Sequence, residues 1–75
     1  MEEIKKITYL EIEPDLNIIQ KVVGGYITLI PMKDNRIMYV NEEGELRQLP
    51  VNDDASEIMG YPIYGNVLII GKIDS

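Results

Sequence analysis

Pro14-Asp15-Leu16-Asn17-Ile18-Ile19-Gln20-Lys21-Val22-Val23-Gly24-Gly25-Tyr26-Ile27-Thr28-Leu29-Ile30-Pro31-Met32 changes its period at the glycine pair. Before it, Leu16, Ile19 and Val22/Val23 recur at helical spacing, and after it the side chains alternate as in a strand. Proline has its φ already set for a helix start, and Asp15 suits the positive end of the dipole. Gly24 falls where a helix C-terminus takes a left-handed residue. The stretch therefore predicts a short helix over 14–23, a tight turn, and a strand over 26–32. Both faces of that strand are largely apolar, which predicts a central position in a sheet.

The neighbouring segments extend this pattern. Lys5 to Glu13 alternates, with Thr8, Leu10 and Ile12 on one face, and Pro14 ends it. Lys33-Asp34-Asn35 is turn chemistry, and Arg36 to Asn41 completes a hairpin with the preceding strand. Asn41-Glu42-Glu43-Gly44 reads as a second turn and Glu45 to Leu49 as a short returning strand. Asp53 or Asp54 would cap one helical turn over Ala55–Met59, broken by Gly60-Tyr61-Pro62. Asn66 to Ile73 is the last strand. The expected fold is α+β: a mostly antiparallel sheet of four to five strands with one short helix, about 14–23, packed on it. Residues 1–75 read as a single domain.

Composition excludes much chemistry. Among 75 residues there is no Cys, His, Trp or Phe. Zinc sites of Cys and His, disulfide staples and His-based nucleophile systems are out. The acids carry no motif for a metal-dependent nuclease and no cleft for a glycosidase-like pair. No catalytic residue, metal site or cofactor is expected. A core this small contributes about 3–5 kcal/mol, which makes homo-oligomerisation a natural further source of stability.

The net charge is −6. Most of it sits in residues 40–57, where Glu42, Glu43, Glu45, Asp53, Asp54 and Glu57 face only Arg47. Duplex nucleic acid repels that sign, so direct binding to it is not expected. The segment reads as a solvated loop or as a face for a basic partner. No apolar run approaches the roughly 20 residues of a membrane span, and the Met-Glu-Glu opening is unlike a signal peptide. Cytoplasmic localisation is the expectation.

Several residues are candidates for binding. Asn52, after the stiff Leu49-Pro50-Val51, either reads a ligand or closes its own turn. Tyr61 and Tyr64 flank Pro62 and could present rings to a partner. Tyr9, Tyr26 and Tyr39 are expected to pack on the sheet with their hydroxyls in solvent. Arg36 and Arg47, with Lys33 and Lys72, are the cations available to a small anion. Glu42 and Glu43 would meet a basic protein, and Glu43 or Glu45 could pair with Arg47.

Four segments carry a resemblance: Val23-Gly24-Gly25-Tyr26-Ile27, Val40-Asn41-Glu42-Glu43-Gly44-Glu45-Leu46, Leu49-Pro50-Val51-Asn52 and Tyr64-Gly65-Asn66-Val67-Leu68-Ile69-Ile70-Gly71. In this order and spacing they resemble a family catalogued as domain of unknown function 3846. Its members are small proteins carried largely by bacteriophages and other mobile elements. One departure is Asp53, where the family more often has a basic residue after the asparagine. The resemblance implies a setting, mobile element against bacterial host, and no reaction. The combined expectation is a non-enzymatic binding protein. It would antagonise host defence by sequestering a small anionic nucleotide signal or by binding a host defence protein. The alternative is an accessory or regulatory protein–protein interaction module of the mobile element, with no small-molecule ligand.

Overall fold

Ile37-Met38-Tyr39-Val40-Asn41 alternates between two buried faces, and this strand sits inside the sheet. The computed structural model describes residues 7–71. In chain order its elements are β1 (Ile7–Leu10), α1 (Leu16–Val23), β2 (Ile27–Pro31), β3 (Ile37–Asn41), α2 (Asp53–Met59) and β4 (Val67–Ile70). The sheet has four strands in the order β1-β4-β3-β2. β1 runs parallel to β4, and the other pairs are antiparallel. The fold is a small α+β domain with a mixed sheet and two helices.

Alternation assigns each side chain to one of two cores. Met38, Val40, Val67 and Ile69 project to one face, where Ala55 of α2 and Ile63 join them. Tyr39 and Leu68 project to the other face and meet Ile19 and Val23 of α1. The sheet is thus covered by a helix on each side. One-residue slippage would exchange these sets, so the pattern itself pins the register.

Five expectations need correction. β2 is an edge strand: its apolar character accompanies exposure of Thr28 and Leu29, and the central strands are β3 and β4. No strand forms over 45–49. The Arg47 N–H donates to Glu43 O (2.8 Å), the Gln48 N–H to Glu45 O (3.0 Å) and the Leu49 N–H to Gly44 O (2.9 Å), so this backbone closes on itself in turns. The second helical segment is a full helix from Asp53, capped by Asn52 rather than by Asp53 or Asp54. α1 begins at Leu16, with Asp15 as its N-cap residue and Pro14 outside it. β1 leaves the sheet after Leu10 and β4 after Ile70. The expected strand residues 5–6 and 72–73 lie outside the described residues.

Tyrosines also differ from expectation. Tyr39 is buried, and its hydroxyl donates to Glu13 Oε1 instead of to solvent. That hydrogen bond, burial and the Glu13 charge together push the Tyr39 hydroxyl up to about 12. Tyr9 and Tyr26 are exposed rather than packed down.

Candidate functional site

The C-terminus of α1, the end of β3 and the loop before α2 meet at one end of the sheet. Gly24 has φ 83°, which a side chain tolerates poorly, and its N–H donates to Gln20 O (2.8 Å) to close α1. Asn41 is buried at the last position of β3. Its Nδ2 donates to Val23 O (3.1 Å), and its Oδ1 accepts from the Glu43 N–H (2.8 Å). One amide side chain thereby fixes the helix end against the turn that follows the strand. Burying it is tolerable because both of its ends are hydrogen-bonded.

Asn52 repeats the device across the loop. It is 2% exposed, its Oδ1 accepts from the Ala55 N–H (3.1 Å), and its Nδ2 donates to Gly65 O (2.9 Å). The Asn52 N–H donates to Ile63 O (2.7 Å) and the Gly65 N–H to Pro50 O (2.8 Å), with Val51 bridged to Tyr64. Residues 50–52 are thus laced to 63–65. Gly65 is favoured there because its φ is 80°, a conformation that strains any side chain.

Between these two assemblies lies an open cleft of about 420 Å³. α1 contributes Lys21 and Val22, the loop contributes Arg47, Leu49, Pro50 and Val51, and Asn66 with Gly65 lies at the foot of β4. The volume falls within the roughly 300–1,000 Å³ of small-molecule sites, and the mix of apolar walls with a few polar groups is theirs as well. No acid lines it, although the chain carries 13. Arg47 Nη1 donates to Gly24 O (3.3 Å). A guanidinium has five N–H groups, so this bond aims the group and leaves donors over for a ligand. Lys21 and Arg47 both stand at the negative end of α1, whose dipole favours cations there.

The residues singled out from sequence divide among three places. Arg47 and Asn52 line the cleft, whereas Tyr64 packs on Gly44 and is not part of the lining. Glu43 borders the outer side of Arg47 in a smaller depression shared with Gln20 and Tyr26. Glu42 stands in solvent. Arg36 and Tyr61 share a groove at the other end of β3, about 17 Å away along the strand. There Arg36 Nε donates to Asp34 Oδ2 (2.7 Å), and its guanidinium lies 5.9 Å from the Tyr9 ring centroid. That contact is the ion pair found among the described residues, so Glu43 and Glu45 do not pair with Arg47. Lys33 lies with Arg36, and Lys72 lies outside the described residues.

Sequence reasoning missed Lys21 and Asn66. Asn66 lies inside the fourth segment of the family resemblance and Lys21 two residues before the first, and those positions were the available signal. Among the described residues no cluster of acids is placed to hold a metal ion, and no helix is long and apolar enough to cross a membrane.

Fold and cleft together define a small α+β domain with a cation-rimmed pocket at one end of a mixed sheet. Over residues 1–75 the chain matches the family described as Domain of unknown function (DUF3846), and it belongs to that family. Searches of the curated proteins and of the solved structures returned no significant match.

Proposed function

We propose that this chain is a non-enzymatic binding protein of a bacteriophage or other mobile element. It captures a small anionic ligand, such as a nucleotide signal of a host defence system, in the cleft between α1 and residues 47–52. The observation that carries this reading is a local reversal of charge. A protein of net −6 gathers Lys21 and Arg47 at its cleft and admits no carboxylate to the lining. Two cations set against the negative end of α1, over apolar walls, suit an anion joined to a flat or apolar body, which is the composition of a nucleotide. Segments of the family resemblance from distant parts of the chain supply most of the lining. Such a protein acts by stoichiometry, in the cytoplasm of the host cell.

A second reading rests on a different observation. Glu42, Glu45, Asp53, Asp54 and Glu57 are all exposed and would be available to a basic host protein. Charge reversal at Glu42, Glu43 and Glu45 would abolish that contact and leave the cleft intact.

Calorimetric titration with a panel of mono- and cyclic nucleotides separates the two. Cleft binding predicts saturable heat with the wild-type chain and none with the doubly substituted Lys21→Ala, Arg47→Ala chain, whose circular dichroism is unchanged. Heat that survives both substitutions would overturn the cleft reading.

A further inference from the structure

We infer that β2 is the seam of a two-fold dimer, in which the β2 strands of two copies pair antiparallel about Leu29 and join two sheets into one. β2 lies at the sheet edge. Toward β3, Glu42 N–H donates to Tyr26 O (2.8 Å) and Met32 N–H to Arg36 O (2.8 Å). Antiparallel ladders alternate, so the intervening Ile27, Leu29 and Pro31 turn their backbone groups outward. Ile27 and Leu29 offer a donor and an acceptor each, and Pro31 offers an acceptor alone.

Natural sheets guard such an edge with charge. The opposite edge, β1, is only four residues long and is followed at once by Glu11 and then Glu13. Residues 25–32 carry no charge at all, while Tyr26 is 67% and Leu29 51% exposed. β2 is thus the longer edge, and charge lies farther from it than from β1.

The strand is complementary to itself. With Leu29 opposite Leu29, all of β2 overlaps and Ile27 falls opposite Pro31. The two Leu29 residues exchange N–H···O bonds. Each Ile27 N–H reaches the Pro31 carbonyl of the other copy, so the missing proline donor costs one bond at each end. Registers that bring the two prolines together would have no donor at their centre. On one face the Leu29 side chains lie side by side, and on the other Thr28 falls opposite Ile30. Tyr26 of the second copy falls opposite Met32, which with Ile30, Ile58 and Tyr61 forms the apolar part of a groove of about 580 Å³ that Lys33, Asp34, Arg36 and Glu57 also line. Lys33, the first charge past the strand, meets Gly25, so no like charges are opposed in a chain of net −6. A two-fold contact of this kind closes, leaving only the short β1 edges outermost. The cleft uses none of residues 26–32, so the seam stands independently of it.

Sedimentation velocity of the full chain over a concentration series is the test, run beside a Leu29→Lys variant and amide exchange. The wild-type chain is expected to dimerise. Leu29→Lys sets two ammonium groups against each other and is expected to raise the dissociation constant about tenfold or more, with unchanged circular dichroism. Amides of Ile27 and Leu29 are expected to exchange slowly in the assembled wild-type protein and fast on dilution. A wild-type monomer at every concentration, a dimer indifferent to Leu29→Lys, or free exchange of those amides in the assembled protein would overturn the inference. If the variant does not fold, the wild-type amides decide alone.

Discussion

Beneath α2 the sheet is covered by aliphatic side chains: Met38, Val40, Val67 and Ile69 against Ala55 and Ile63. Beneath α1 the core is smaller and interrupted by polar ties. Tyr39 reaches Glu13 through its hydroxyl, Asn41 holds the carbonyl of Val23, and Arg47 holds that of Gly24. The first face is held mainly by packing, which has no direction, with Asn52 capping α2 and Ser56 Oγ accepting from the Ile63 N–H (2.8 Å) at its margin. The second is held by hydrogen bonds, which fix where the end of α1 stands relative to the loop over 47–52. The cleft opens at that end. The division of labour places stability on one face of the sheet and the geometry of the site on the other.

The largest expected effect is on the packed face. Met38 has no exposed surface, and Met38→Ala is expected to cost about 2–5 kcal/mol in denaturant unfolding. That is comparable to the whole margin of a chain this small. Asn52→Ala comes next. It removes the α2 cap and strands the carbonyl of Gly65, at a cost of about 1–3 kcal/mol. Because the same residue laces the cleft, ligand binding should weaken beyond what the stability loss explains, as calorimetry would show.

Tyr39→Phe tests the polar face more gently, at about 0.5–1.5 kcal/mol near neutral pH. Its pH dependence has a definite sign. The folded hydroxyl titrates at about 12, above the unfolded value near 10. The unfolded chain therefore loses its proton first as pH rises. The Tyr39 contribution is fully present below about pH 10 and is lost as pH climbs through about 12. Unfolding measured across that window should show an alkaline decline that Tyr39→Phe lacks. The smallest expected effect on stability is that of Arg47→Ala, within about 0.5 kcal/mol, since the side chain is exposed. If Arg47 served only to cap α1, ligand binding would survive this change.

Local periodicity carried the helix at 16–23 and the hairpin of β2 and β3, because each is a contact between near neighbours in sequence. It could not carry the strand order. β1 lies beside β4 through pairing of Ile7 with Val67, a separation no local pattern reports. The apolar faces of β2 suggested a central strand, yet Thr28 and Leu29 remain exposed at an edge. At the start of α2, Asn52, Asp53 and Asp54 are all good capping residues. Asn52 takes the role because an amide can accept from Ala55 and also donate to Gly65, whereas a carboxylate only accepts. Arg47 and Asn52 were both readable as binding candidates, and both line the cleft. Their convergence with Lys21 on one cleft depends on two buried asparagines and a glycine, and emerges only in three dimensions.

The most direct measurement of the central claim is native mass spectrometry of the chain after incubation with lysate of phage-infected host. Wild-type protein and the Lys21→Ala, Arg47→Ala chain are compared, each against its denatured sample. A small-molecule mass retained by the wild-type chain, released on denaturation and absent from the variant, is the predicted result. A wild-type chain that retains no small molecule, or a variant that retains the same mass, would contradict it.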